Sequence, residues 1–489
     1  MALASSANSC VVTFVTTEYN QKVYEEREGT AAVDQTSGRL RMVGLSDGLP
    51  LDALYDRHSP AFISSMHLHW KPQLEGLLEK LNASPTPVSC IITDLFMPWL
   101  HSLDLHRRPP LIGFSPTCAA QFAAIYRLPQ LVARGQLSGG ALDESLQNTT
   151  STTTVSVLPG VLAFKARNLP WYTEDPQDDA HVLQFLMNIR QQFVPRFRAM
   201  VINSFMELEG DIVQALAVQE AEASRMKILT LGPLLLLHQE LAAPPTPRQI
   251  ISEIAAGDGD AEETLGEPVG TDSQDSSKKE CWQWLEEKEE GSVLYISFGT
   301  TASVSRKELQ ELALGIEAAG VPFLWTIRAD QLTMRGEDAL PVGFVERTKE
   351  KAFFTPWAPQ TLVLSHRSVG AFLTHGGWNS AIEAMSMGVP MLTWPCTVDQ
   401  KGNSELIVER WKVGLPLREW GSAEELAVSR EKVEKLVTCL LHKREGQQIR
   451  ERAAAVKREA RGAVAKGGSS QNCCRQLIDL IANLSTAPS

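Results

Sequence analysis

Short runs of β-branched and apolar residues recur along this chain, separated by stretches whose apolar residues fall at helical spacing. The first series is VVTFV (11–15), VSCIIT (88–93), LIGF (111–114), MVINSF (200–205) and ILTLG (228–232). The second is SVLYISFG (292–299), PFLWTIR (322–328), AFF (352–354), GAFLTH (370–375) and PMLTW (390–394). Between them, segments such as Lys307–Ala319 and Asn379–Met387 carry helix-like spacing. Strand–helix alternation means parallel sheets with crossover helices, so the chain reads as α/β. In such sheets ligands bind beyond the carboxyl ends of the strands. The residues expected there are Asp94 after VSCIIT, Thr300 after VLYISFG, and His375 to Ser380 after GAFLT.

A length of 489 residues fits two or three domains. The two strand series are divided by an acidic stretch whose start is marked by Pro244, Pro245 and Pro247. The expected division is an N-terminal unit over 1–236, a flexible acidic linker over 237–285 and a C-terminal unit over 286–489. Net charge is −12, which argues against a nucleic-acid or anionic-membrane partner. Glu253–Glu290 alone holds thirteen acids against three lysines, so the acidity belongs to a solvated insertion and not to a ligand site.

The longest strongly apolar run, around Leu234–Leu237, falls far short of a membrane helix, and the first residues do not read as a signal peptide. The sequons at Asn82, Asn148 and Asn483 are then chance matches. Eight cysteines without CxxC or zinc-like spacing read as reduced thiols of a cytoplasmic protein. No metal site is expected.

The segment THGGWNSAIEAM (374–385) is the most informative. A strand ends at His375, two glycines turn the chain, and a helix begins near Asn379 with free N–H groups suited to a phosphate. His375, Asn379 and Ser380 add donors, and Glu383 one turn on is placed to accept from a sugar diol. A bare His-Gly-Gly would be an ordinary βα turn; the polar groups converging on one helix end shift the reading to a nucleotide phosphate. Neither GxGxxG nor GxxxxGK[ST] follows any candidate strand, which speaks against NAD and ATP. Trp357 in PWAPQ could stack on a base, although a lone Trp is more often core. Asp399–Gln400 supplies a carboxylate and an amide for sugar hydroxyls, weak evidence as an isolated dipeptide.

Trp357 to Gln400, WAPQTLVLSHRSVGAFLTHGGWNSAIEAMSMGVPMLTWPCTVDQ, is 44 residues long and resembles the signature of plant secondary-product UDP-glycosyltransferases in length and spacing. SDGLP (46–50), LGPLL (231–235), VLYISFGT (293–300) and GGSS (467–470) extend the resemblance over nearly the whole chain. Gly376 stands where many members carry Cys. The resemblance implies a GT-B fold: two Rossmann-like domains facing across a cleft, with the last helix packing back on the N-terminal domain. It implies that Trp357 stacks on uracil, with the Ala358 backbone and Gln360 nearby, and that Glu383 holds the ribose. His375, Asn379, Ser380 and Thr300 would surround the diphosphate, and Trp378, Asp399 and Gln400 the transferred sugar. The implied reaction is metal-independent inverting transfer from UDP-glucose, a substrate and not a cofactor, to a small hydrophobic hydroxylated acceptor such as a flavonoid, other phenolic or terpenoid. No cofactor is implied, and a monomer is expected.

The family's base is a His after the first strand, oriented by an Asp that Asp94 in IITDLF (91–96) matches. Outside the family, Asp94 would as readily cap the next turn. The stretch VTFVTTEYN (12–20) corresponds to the family's second strand, so the His, the first strand and the first helix are expected to lie before Met1. Neighbouring strands would then be left with unpaired edges. His67 and His69 read as surface or acceptor-pocket residues, and His101 and His106 as structural. A second reading follows, a UDP-sugar-binding protein inactive in transfer. Phe96, Trp99, Phe114, Phe122 and Tyr126 are equally explained as acceptor pocket or core.

Overall fold

The computed structural model describes residues 10–28, 39–49, 60–135, 154–172, 176–223, 226–241, 272–299, 304–327, 340–397, 399–418 and 428–486. In the N-terminal half the strands are β1 (Val12–Thr17), β2 (Leu40–Leu45), β3 (Ile91–Asp94), β4 (Leu111–Ser115), β5 (Thr154–Leu158), β6 (Leu162–Lys165), β7 (Phe197–Ile202) and β8 (Lys227–Thr230). They form a parallel sheet in the order β3-β4-β7-β8, a separate parallel pair β1-β2 and an antiparallel hairpin β5-β6. No described strand joins β1 to β3. Beside edges that no described strand pairs, Phe14 is 53% and Ile92 41% exposed.

The C-terminal half has β9 (Val293–Ser297), β10 (Phe323–Thr326), β11 (Ala352–Thr355), β12 (Val369–Thr374), β13 (Met391–Thr393) and β14 (Gly414–Pro416). They make one parallel six-stranded sheet in the order β11-β10-β9-β12-β13-β14. The chain moves outward from β9 to β11, then returns to the other side of β9 as β12. This reversal leaves a crevice at the carboxyl ends of β9 and β12, where Ser297 pairs with Thr374. Helix Arg306–Ala319 is fixed by local chemistry: Ser305 and Glu308 form a reciprocal capping box, and Gly320 closes the end at φ 67°.

Part of the expected flexible linker is structured. Within 237–285, helix Leu234–Leu241 and helix Asp272–Glu286 are formed, while 242–271 lie outside the described residues. Cys281 and Leu285 are buried, and the Trp284 ring lies 5.8 Å from that of Phe353. The apolar face of an otherwise acidic helix therefore ties it to the C-terminal sheet.

The halves are held by a polar seam. Trp378 Nε1 donates to the Asn203 carbonyl at 2.8 Å, Gln121 Nε2 to the Asp399 carbonyl at 3.3 Å, and Asn168 Nδ2 to Glu405 at 2.7 Å. Arg410 reaches the Val161 carbonyl, and Ser470 donates to the Gly232 carbonyl. Helix Gln447–Val464 packs on helix Met206–Ala223, and the last helix, Ser469–Thr486, on β8.

On the N-terminal side, the fully buried Glu209 accepts from Ala119 N and Ala120 N at 2.9 Å and from Ser204 Oγ at 2.5 Å. It thereby caps helix Ala119–Ala133, whose N-terminus faces the seam. Glu209→Ala strands three buried donors, each costing about 1–3 kcal/mol. Urea unfolding of that variant should show a loss of about 3–5 kcal/mol relative to wild type.

Candidate functional site

The end of β12 sets the site. Thr374 is buried, and its Oγ1 accepts from Gly376 N at 3.3 Å, tightening the turn through Gly376 at φ +80°. Helix Trp378–Met387 starts from Gly377, whose lack of a side chain leaves the first N–H groups without a side-chain cap. That helix end is a partial positive charge facing the β9–β12 crevice.

His375 stands between this turn and the end of β9. A Cβ on Gly299, at φ +66°, would lie 2.9 Å from its ring, and one on Gly377 would lie 2.5 Å from its Nε2. Two glycines thus make room for one imidazole. Burial lowers the His375 pKa to about 4, so the ring is neutral near pH 7, and its buried Nδ1 has no protein partner. A neutral imidazole can still donate one N–H to an anionic oxygen.

On one side of this turn lies a second group. Trp357, just past β11, is 38% exposed, with its carbonyl held by Thr355 Oγ1 at 2.7 Å. Ala358 is buried beside it. Gln360 Nε2 donates to Ser380 Oγ at 3.0 Å and to Glu383 Oε2 at 2.8 Å. Burial raises the Glu383 pKa, the Gln360 hydrogen bond opposing it. Asn379 is exposed at the helix start. An exposed indole followed by an amide, a hydroxyl and a carboxylate is a surface that accepts a flat ring and a diol.

A third group lies on the other side of the turn. The Asp399 carboxyl accepts from Asn403 Nδ2 at 2.9 Å, and burial raises its pKa. Gln400 Oε1 accepts from Cys396 N at 2.8 Å and Thr397 N at 3.1 Å, which fixes the amide, while its Nε2 has no partner among the described residues. The Trp378 side chain is committed to the seam through its bond to Asn203. Thr300 lies outside the described residues.

Sequence reasoning missed Asn403. Fully buried, it donates to the Gly376 carbonyl at 3.0 Å as well as to Asp399, and accepts from Cys118 Sγ at 3.7 Å. One amide thereby links the glycine turn, the Asp399 carboxyl and the N-terminal half. Its spacing from Asp399, four residues along a helix, is the only local trace of this role.

In the N-terminal half, Asp94 ends β3, and its Oδ1 accepts from Phe96 N at 2.7 Å, an Asx-type turn. Burial raises its pKa. No hydrogen bond or ion pair joins it to a histidine among the described residues. His101 Nδ1 pairs with the Pro98 carbonyl, and exposed His106 pairs with Glu79 at 3.3 Å. His69 is exposed, and the His67 side chain lies outside the described residues. Phe122 and Tyr126 are core, whereas Phe96 is partly buried and stacks on Phe185 at 6.5 Å.

The described residues include no group of three or more His, Cys, Asp or Glu able to hold a metal ion, and no helix long and apolar enough to cross a membrane.

A family model described as UDP-glucoronosyl and UDP-glucosyl transferase matches residues 267–436. A (R)-mandelonitrile beta-glucosyltransferase of Prunus dulcis is 31% identical over 476 residues, covering 96% of this chain and 91% of its own. A scopoletin glucosyltransferase of Nicotiana tabacum is 29% identical, covering 99% and 95%. Among solved structures, a UDP-glucose:anthocyanidin 3-O-glucosyltransferase in complex with UDP superposes with a TM-score of 0.71 at 24% identity, over 98% of this chain and 94% of that one. A transferase from Siraitia grosvenorii in complex with UDP superposes at 0.75, with 22% identity over the same shares. The two-domain fold is shared with these proteins.

If the His375 ring is the group the crevice is built around, Gly377→Ala should displace it. UDP affinity measured by calorimetry should then fall about tenfold, the scale of one lost charge-assisted hydrogen bond. By NMR the wild-type ring should stay neutral from about pH 8 down to about pH 5. The unfolded chain takes up that proton first, so this group's effect on stability grows more unfavourable as pH falls from 6.5 towards 4.

Proposed function

The chain belongs to the UDP-glycosyltransferase family and is a glycosyltransferase, and from that premise we propose that it moves glucose from UDP-glucose to a hydroxyl of a small hydrophobic acceptor. The observation that carries the donor assignment is the continuous row of groups along the crevice. Trp357 would stack on the uracil, with Ala358 and Gln360 beside it, and Glu383 would take the ribose diol. The bare helix end with His375, Asn379, Ser380 and Thr300 would take the diphosphate. Gln400 and Asp399 would meet the sugar, with Trp378 fixing the turn through its hold on the other half. The relatives act on scopoletin and mandelonitrile by name, which supports a phenolic or other small apolar acceptor.

The proposed step is inverting. The acceptor oxygen attacks C1 of the glucose as its proton passes to a base, the C1–O bond to UDP breaks, and a β-glucoside forms. Negative charge develops on the leaving diphosphate, where the helix N-terminus and the neutral His375 N–H would stabilise it without a metal ion. Asp94, a carboxylate whose burial raises its affinity for protons, is the proposed proton-handling group at the carboxyl end of β3. We further propose a domain division at the acidic stretch, a monomeric state and a cytoplasmic location.

A second reading is favoured by one observation: among the described residues Asp94 has no histidine partner, and no described strand pairs with the outer edge of β3. On that reading the chain binds the UDP-sugar without transferring it. Acceptor-dependent release of UDP from UDP-glucose, with a panel of phenolic acceptors, is expected for the enzyme. Tight binding of UDP-glucose with no release for any acceptor would establish the binding protein instead. In an active preparation, Gln400→His should lower glucose transfer relative to galactose, and an unaltered ratio would remove Gln400 from the sugar site.

A further inference from the structure

Beneath the N-terminal sheet, at the amino ends of its strands, lies a half-open cavity of about 440 Å³ that the transfer chemistry does not use. Its floor is apolar and built from where the strands begin: Ile91 opens β3, Leu111 opens β4, Phe197 opens β7, and Met226 directly precedes β8. Its rim is basic. Arg108, Arg196 and Arg198 line it, all three exposed, and none is in an ion pair among the described residues. Arg196 donates through Nε to the Gln192 carbonyl at 3.1 Å, which steadies the side chain near the mouth. On a chain of net charge −12, three guanidiniums without carboxylate partners around one apolar hollow are a local inversion of the protein's field.

We infer that this cavity is a binding site for a small amphipathic anion, an aromatic or alicyclic body carrying a carboxylate, sulfate or sulfonate. The chemistry follows from the two layers. The floor removes an apolar body from water, and planar guanidiniums engage a carboxylate or sulfonate edge with paired hydrogen bonds. The volume falls within the range of small-molecule sites, and its concavity suits a compact ligand. The site is separate from the donor crevice: it opens at the opposite ends of the strands, so roughly 13–17 Å of sheet stands between it and the carboxyl ends of β3 and β4. Occupancy would leave the donor site free.

The probe is 1-anilinonaphthalene-8-sulfonate, followed by fluorescence titration and equilibrium dialysis on the full chain. The wild type should bind one equivalent that saturating UDP does not displace. The neutral analogue N-phenyl-1-naphthylamine should bind at least about tenfold more weakly, as should the sulfonate to Arg108→Gln/Arg196→Gln/Arg198→Gln. Since the three arginines are exposed, the variant's melting temperature and UDP affinity should match wild type; if they do not, Arg198→Gln alone should still weaken the sulfonate several-fold. Phe14→Ser, at the open edge of β1, should leave binding unchanged. Displacement by UDP, equal binding of the neutral analogue, undiminished binding by folded arginine variants, or loss on Phe14→Ser would each overturn the assignment.

Discussion

A helix that begins at glycine has four backbone N–H groups and no side chain of its own to satisfy them. In helix Trp378–Met387 this deficit falls at the reversal of the six-stranded sheet, where β9 and β12 lie side by side and the chain departs in opposite directions. The remaining features of this end of the six-stranded sheet are arranged around it. Gly299 and Gly377 clear space for His375, Thr374 Oγ1 fixes the turn, and Asn403 holds the turn's carbonyl from below. A serine or aspartate at position 377 would satisfy the helix internally and remove its attraction for an anion. The crevice is thus defined by an unmet hydrogen-bonding demand as much as by the groups that line it.

The same region joins the halves. Trp378 opens the helix after the glycine turn and Asn403 bonds to that turn, yet one donates to Asn203 and the other accepts from Cys118. On the facing side, Glu209 caps the helix that carries Gln121, which bonds to the Asp399 carbonyl. Glu209 is buried and meets three donors from protein groups, so the N-terminal face of the seam is preorganised before any ligand arrives. Beside the apolar packing of the last two helices on the N-terminal half, the halves are thus coupled through polar contacts of fixed direction, and relative movement would have to exchange several of them together.

Much of this was legible in the sequence because it is local. Each of the strand runs expected from apolar patterning forms a strand, and THGGWNS declares its strand, turn and helix within seven residues. What escaped was either weakly patterned or non-local. Arg39 and Arg41 bracket the start of β2 and break its apolar run, β5 is preceded by a threonine-rich stretch, and β14 is three residues ending in proline. Within the expected 237–285 linker, helix Asp272–Glu286 begins because the apolar stripe of Cys281, Trp284 and Leu285 is stronger than the acidic composition suggested. Asn403 and Glu209 gave no motif: beyond the nearby Asp399 and Ser204, the partners that define their roles (Cys118 and Gly376 for one, Ala119 and Ala120 for the other) lie far away in sequence.

The separation of the β1-β2 pair from the sheet of four bears on how the molecule comes apart. A lone parallel pair is marginal, and among the described residues this one is held to the rest by helix packing and not by a shared ladder. Hydrogen bonds between β1 and β2 then have no reason to open in step with those of β3, β4, β7 and β8. Such a pair is expected to open at lower free energy than the sheets beside it. Amide exchange along Val12–Thr17 and Leu40–Leu45 would run ahead of the six-stranded sheet, so the first segment to lose protection lies outside the C-terminal half.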